Sequence, residues 1–148
     1  QPSHPDLRAV PFMTDSMCAI TAPDHPLASV KSISLAELSR FPFLMREKGS
    51  AGRKLLDAAF SLQQMTVSPR WESTSTQALV KAVAEGLGVS VLPYLIVKKD
   101  IEEGTVRQIP LNQPIRRNLN VIYHKSKLLT DNMKSFIELC KKYGKSAK

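Results

Sequence analysis

The chain has 148 residues, enough for one compact domain or for two small lobes that share a cleft. Its 43% hydrophobic and 23% charged residues are typical of a soluble globular protein, and no apolar run approaches the ~20 residues of a membrane-spanning helix. The net charge of +8 raises the question of nucleic acid, but half of it comes from four lysines in the last eight residues: Lys141, Lys142, Lys145 and Lys148. We interpret them as a solvated helix end and a frayed basic tail.

The first predicted elements are a strand, a capped helix and an extended segment. An apolar run at residues 17–20 ends before Pro23, which predicts a strand that leads into a crossing segment. Ser34 and Glu37 have the spacing of a capping box, so a short helix is predicted after Ser34. Residues 43–45 follow as an extended run.

Strands and helices then alternate through the middle of the chain. The apolar spacing predicts a helix over residues 51–64, with Arg53 on its polar face, and a half-buried strand over residues 67–72. A second helix is predicted from about Thr74, with a C-terminal glycine, and a buried strand over residues 88–92. This order is typical of a parallel α/β sheet.

The last third of the sequence predicts two strands and a terminal helix. A charged turn at residues 102–104 precedes an extended segment over residues 105–111, and residues 118–124 alternate as a strand does. The final helix is predicted to begin near Thr130 and to end at Gly144. Its predicted buried residues are Met133, Phe136, Ile137, Cys140 and Tyr143.

Patterns of cofactor, nucleophile and metal sites are weak. Gly86 and Gly88 close a helix and open a strand, the reverse of a dinucleotide-binding turn, and Ser90 lacks the surroundings of a nucleophile elbow. The histidines are isolated, and Cys18 and Cys140 stand far apart without metal-ligand spacing. We therefore expect reduced structural thiols, no metal, no cofactor and no enzyme activity.

Two helix starts carry the more informative pattern. Residues 49–52 and 73–76 are rich in glycine or hydroxyl groups, and each stretch follows a predicted strand. Helix starts expose unpaired amides with a partial positive charge, which suits a carboxylate, sulfate or phosphate. An arginine at the end of the first strand adds a cation. The candidate ligand-binding residues here are Arg46, Gly49, Ser50, Ser73, Thr74 and Ser75.

Several motifs together resemble the effector domain of LysR-type transcriptional regulators. They are the His-Pro-Leu-Ala at residues 25–28, the run from Gly49 to Phe60, and the run from Ala78 to Pro93. The resemblance implies an α/β, type 2 periplasmic-binding-protein-like fold with two lobes and an effector cleft. It also implies that the segment around Thr74 lines the effector pocket, with Arg46, Ser50 and Thr21 as further ligand-binding candidates.

The resemblance further implies how the chain divides. Residues 1–24 are expected to form part of the first lobe and the crossing segment, residues 25–112 the second lobe, and residues 113–148 the return to the first lobe with the C-terminal helix and basic tail. The opening units of the first lobe and the winged helix-turn-helix of the family have no counterpart in this sequence, so the first lobe is expected to be incomplete.

The function implied is sensing of a small effector in an interlobe cleft, and the two helix starts with Arg46 favour an anionic one. The expected partners are that effector, a second copy of the chain in a dimer, and DNA through the helix-turn-helix domain alone; the expected location is the bacterial cytoplasm, without membrane contact. A solute-binding protein of a transporter shares the fold class and remains an alternative, as does an enzyme with a similar two-lobe fold.

Overall fold

The structure is a computed structural model that describes residues 4–146, without the side chains of Lys145 and Ser146. It is mixed α/β, as predicted. The strands are β1 (Leu7–Thr21), β2 (Leu44–Arg46), β3 (Trp71–Ser73), β4 (Ser90–Pro93), β5 (Arg107–Ile109) and β6 (Ile115–His124). The helices are α1 (Leu35–Leu38), α2 (Ala51–Leu62), α3 (Thr76–Ala84), α4 (Tyr94–Glu102) and α5 (Asp131–Ser146), with a 3-10 turn at Pro26–Ser29.

The strands pair in both directions. β1 lies between β4 and β5, runs antiparallel to both and also pairs with β6. β2 and β3 form a parallel pair, which a parallel bridge between Phe43 and Val89 connects to the start of β4. The parallel direction predicted for the middle of the chain is confirmed for β2 and β3 and at the bridge to β4, whereas β1, for which no direction was predicted, runs antiparallel to β4 and β5. A helical crossover sets the relative direction only of the strands that it joins, here β2, β3 and β4.

The chain forms two compact units. The larger unit is Ser16–Ile115, and the smaller unit joins Gln1–Asp15 with Arg116–Lys148. The finer assignment of residues to the lobes of a two-lobe fold stays a prediction. Within residues 4–146, no helix has both the length and the apolar character needed to cross a membrane.

The core of the larger unit covers both faces of β1. Side chains alternate along a strand, so Met17 and Ala19 join one buried cluster while Cys18 and Ile20 join the other. The first cluster takes Leu56 and Phe60 from α2, among others, and the second is built from α3, β4 and α4. The sheet thus has a helix layer on each side, which holds the starts of α2 and α3 in fixed positions.

The predicted N-terminal caps of the helices are confirmed for α1 and α2, and the cap of α3 lies one residue later than predicted. The capping box is confirmed, since Ser34 Oγ accepts from Glu37 N at 3.1 Å and Glu37 Oε2 accepts from Ser34 N at 2.9 Å. Ser50 caps α2. The cap of α3 is Ser75 and not Thr74, because the helix begins at Thr76. In a run of four hydroxyl residues, local spacing alone does not select the cap.

Other boundaries differ from the predictions for identifiable reasons. β1 begins ten residues before the predicted start at residue 17, because Pro11 and the polar residues before it obscure the alternation. Residues 67–69 do not pair, so β3 starts only at Trp71. α4 was not expected after Pro93, yet a proline is well tolerated at a helix start, where its missing N–H needs no partner.

The smaller unit contains β6, α5 and the first part of β1. Asp15 is buried there and accepts from the Arg117 guanidinium at 2.8 and 2.9 Å. Gly144 does not end α5, which continues to Ser146; the Cβ of any other residue at Gly144 would collide with the carbonyl of Phe12. The end of the predicted basic tail, residues 147–148, lies outside the described residues.

The terminal helix buries less than its sequence suggests. Of the five residues predicted to be buried, only Ile137 is, while Phe136 and Tyr143 are exposed and Met133 and Cys140 are intermediate. The apolar spacing correctly predicted the helix but not how much of its apolar face is covered.

Candidate functional site

The carboxyl ends of β2 and β3 lie side by side in the larger unit. In the parallel register Arg46 pairs with Ser73, and Glu47 N donates to the Ser73 carbonyl at 3.2 Å. Because α2 and α3 each begin within five residues of these strand ends, both helix starts reach the same edge of the sheet. We call residues 46–53 and 73–76 the strand-end edge. The sequence-predicted residues Arg46, Gly49, Ser50, Ser73, Thr74 and Ser75 all belong to it.

Three serine hydroxyls at this edge accept backbone hydrogen bonds. Ser50 Oγ accepts from Arg53 N and Ser75 Oγ accepts from Ala78 N, both at 3.2 Å, and Ser73 Oγ accepts from Ser75 N at 3.1 Å. A hydroxyl has one proton to donate besides the lone pairs with which it accepts. These serines therefore combine capping with a donor that an anion could use.

The guanidinium of Arg46 already has partners. Its Nε and Nη2 donate to the two carboxylate oxygens of Glu47 at 2.8 and 3.0 Å, and its Nη1 donates to Thr76 Oγ1 at 2.7 Å. These hydrogen bonds from Arg46 lower the pKa of Glu47 and keep its carboxylate charged. Sequence reasoning missed both partners, although Glu47 is next to Arg46 and Thr76 is in the same hydroxyl run.

A second arginine connects α2 to both strand ends. Arg53 was predicted on the polar face of α2, but only 5% of its surface is exposed. Its Nη1 donates to the Arg46 carbonyl at 2.8 Å and to Glu72 Oε1 at 2.6 Å, and its Nε donates to Asp57 Oδ1 at 2.8 Å. Burial acts to lower the pKa of Arg53, but the hydrogen bonds to Glu72 and Asp57 outweigh it and raise the pKa. Only the spacing of Arg53 and Asp57, four residues apart, is visible in the sequence.

Thr21 does not join the other candidates. β1 runs opposite to β4, with Met17 paired to Pro93 and Ile20 paired to Ser90. The end of β1 therefore lies beside the start of β4, at the edge of the sheet opposite the strand-end edge. Thr21 is 0% exposed, and its Oγ1 has no hydrogen-bond partner, the one such buried side-chain atom found in the described part of the chain.

We expect the larger unit to become more stable when the hydroxyl of Thr21 is removed. Thr21→Val keeps the branched shape and deletes the unpaired oxygen, so we expect the free energy of unfolding to rise by about 1 kcal/mol. Urea unfolding followed by fluorescence of Trp71, the only tryptophan, measures this in the larger unit. Thr66→Val, at an exposed threonine, is the control and should change little. A clear loss of stability in Thr21→Val would show that the hydroxyl has a partner.

Gly49 and Thr74 are exposed at the strand-end edge. Gly49 has a φ of +99°, a conformation that side chains rarely adopt, and the space around its Cα is open. A glycine here both permits the turn from β2 into α2 and leaves backbone accessible.

Concavities of the larger unit also occur away from the predicted residues. A cavity of about 260 Å³ lies beside Arg53, lined by residues 65–69 and Lys48. An open depression of about 600 Å³ surrounds His25 and Arg107, and burial lowers the pKa of that histidine. Over residues 4–146 no three His, Cys, Asp or Glu side chains come together as metal ligands would.

Comparison with known proteins identifies the family. The profile of the LysR substrate binding domain matches residues 1–145. The chain belongs to this family. The RuBisCO operon transcriptional regulator of Allochromatium vinosum is 34% identical over 93% of the chain, and the HTH-type transcriptional regulator CysL of Bacillus subtilis is 32% identical over 92%. The chain spans 46% of the length of each of these relatives.

Solved LysR domains share the fold. The Synechocystis CcmR regulatory domain in complex with 2-PG superposes with a TM-score of 0.87 at 29% identity, covering 98% of this chain and 70% of that one. The effector binding domain of QuiR in complex with shikimate gives 0.85 at 22% identity, covering 99% and 69%. The predicted type 2 periplasmic-binding-protein-like fold class is confirmed. The relatives named above are transcriptional regulators, in agreement with the resemblance found in the sequence.

Proposed function

We propose that this LysR domain binds a small anionic effector at the strand-end edge and thereby controls DNA binding by a winged helix-turn-helix domain outside this chain. The observation that carries the proposal is the pairing of Arg46 with Ser73, which brings a guanidinium and the starts of α2 and α3 to one edge. Together these groups offer a charge, serine donors and helix-start amides to an anion.

The ligands of the two structural neighbours support an acidic effector. 2-phosphoglycolate, bound by CcmR, has a phosphate and a carboxylate, and shikimate, bound by QuiR, has a carboxylate. Both ligands present paired oxygens, which a guanidinium and helix-start amides bind well. The 29% identity to CcmR makes 2-phosphoglycolate the first probe to test.

The proposed domain acts by binding and not by catalysis. An effector shifts a conformational equilibrium only as far as it binds one conformation more tightly than the other, and this difference would be passed to the DNA-binding domain. We propose that the protein works in the cytoplasm, as a homo-oligomer, without a cofactor and without membrane contact.

Removing a hydroxyl from the strand-end edge tests the site. Because Ser75 caps α3, Thr74→Val deletes an exposed hydroxyl and leaves the cap in place. We expect about tenfold weaker effector binding from Thr74→Val, and at least as large a loss from Arg46→Ala. Isothermal titration calorimetry on the full-length protein, with 2-phosphoglycolate, shikimate and inorganic phosphate as probes, measures both changes.

Ser61→Ala is the matched control, since Ser61 is exposed on α2 away from its start. Binding in Thr74→Val and Arg46→Ala as tight as in the parent would place the site elsewhere. If none of the three probes bound the parent, the proposal of an anionic effector would fail.

A further inference from the structure

Carboxylates outnumber guanidiniums at the strand-end edge and its immediate partners. Arg46 and Arg53 supply two positive charges, while Glu47, Asp57 and Glu72, which they bind, supply three negative ones. An anion that approaches this edge therefore meets guanidiniums whose charge is already balanced. An anion that binds the Nε and Nη2 edge of the Arg46 guanidinium must therefore replace Glu47 there.

The two arginines differ in how easily their partners can be replaced. Arg53 is almost wholly buried and holds two carboxylates and the Arg46 carbonyl, so releasing any of them would leave a buried charge poorly compensated. The side chains of Arg46 and Glu47 are 26% and 33% exposed. Water can solvate both groups when they separate, so an ion pair of this kind is inexpensive to open. Arg46 is the guanidinium that can exchange its carboxylate.

The geometry of the pair resembles that of a bound acid. Glu47 occupies Nε and Nη2 of Arg46 with both carboxylate oxygens, a two-point contact that a carboxylate or phosphate ligand would also make. Thr76 Oγ1 occupies Nη1 and holds the guanidinium at the start of α3. The guanidinium is thus oriented beside the helix start before any ligand arrives.

We propose that Glu47 is an internal competitor: its carboxylate occupies Arg46 in the ligand-free domain, and the effector binds by replacing it. This inference rests on the proposed function, and it explains what determines the affinity of the strand-end edge for the effector. The effector must present two oxygens in the spacing of a carboxylate or phosphate to replace both hydrogen bonds. Glu47 lowers the affinity for every anion, so the domain responds only to those with further contacts to the strand-end edge.

Neutralising the competitor is the test. Glu47→Gln keeps the shape and removes the charge, so we expect binding of 2-phosphoglycolate and of inorganic phosphate to the full-length protein to tighten about fivefold. Glu102→Gln on α4 removes the same charge from an exposed position and should leave both affinities unchanged. In an Arg46→Ala background, Glu47→Gln should bring no gain, because no guanidinium is left to release. Thermal unfolding of each variant confirms that it is folded.

The outcomes separate the two proposals. Equal affinity of the parent and Glu47→Gln for a probe that binds, or weaker binding by Glu47→Gln, would overturn the competitor and leave the effector site in place. Binding of one of these two probes by Glu47→Gln alone, while the parent binds the other, would support the competitor. If Glu102→Gln, or Glu47→Gln in the Arg46→Ala background, raised the affinity by the same factor, the effect would come from the net charge of the protein and not from release of Arg46. That result would overturn the inference. If neither the parent nor Glu47→Gln bound either probe, both proposals would fail.

Discussion

Phe60→Ala is expected to lower the free energy of unfolding of the larger unit by about 3–5 kcal/mol. Phe60 is 2% exposed and packs edge-on against Phe43, with ring centroids 5.8 Å apart and planes at 77°. Both rings belong to the cluster that fixes α2 on the sheet, so the truncation removes buried apolar surface and leaves a cavity. Urea unfolding followed by Trp71 fluorescence measures the change in this unit.

The same helix supplies the control. Leu62 lies two residues after Phe60 and is 88% exposed, so Leu62→Ala should alter the free energy of unfolding by no more than about 0.5 kcal/mol. Similar losses in both variants would mean that α2 does not pack on the sheet through Phe60. The two variants can be compared directly if each unfolds in one transition and the free energy of unfolding falls with urea concentration at the same slope in both.

Arg53→Met is expected to cost about 2 kcal/mol of stability although it keeps most of the aliphatic volume. The change removes hydrogen bonds to Asp57, Glu72 and the Arg46 carbonyl. Deleting one partner of a fully buried ion pair costs more, but Asp57 and Glu72 are partly exposed and water would solvate them. The same fluorescence-detected urea unfolding measures the loss.

Lys54→Met provides the comparison, because Lys54 is the exposed neighbour of Arg53 on α2 and carries the same charge. It should be close to neutral. Arg53→Lys should recover little of the loss, since an ammonium cannot reproduce a fork that reaches three acceptors. Full stability in Arg53→Lys would mean that charge alone, and not the geometry of the guanidinium, ties α2 to the strand ends.

The features that could be read from the sequence are those set by near neighbours. The capping box of Ser34 and the Ser50 cap depend on residues three positions away, so spacing suffices to predict them. The order of strands and helices between β2 and β4 was also readable. The position of the strand-end edge followed from that order, because strands joined by helical crossovers run in the same direction.

Features that depend on distant pairing were not readable. The sequence does not show that β1 runs against β4, and this direction alone puts Thr21 at the opposite edge from Arg46. Nor does the alternation of polar residues on α2 reveal that Arg53 is buried, because its partner Glu72 is 19 positions away on β3. Glu47 at Arg46 was within reach of sequence reasoning, but adjacent opposite charges are usually solvated separately.

The two cysteines fall in different units and in different surroundings. Cys18 is buried in the second cluster of the larger unit, and Cys140 is partly exposed on α5 in the smaller one. A thiol reagent modifies a cysteine only when the sulfur is accessible, so the partly exposed Cys140 can react in the folded chain, whereas the rate at Cys18 follows opening of the core of the larger unit. The chain thus has one native cysteine in each unit, so the accessibility of each unit to a thiol reagent can be measured separately without introducing another cysteine.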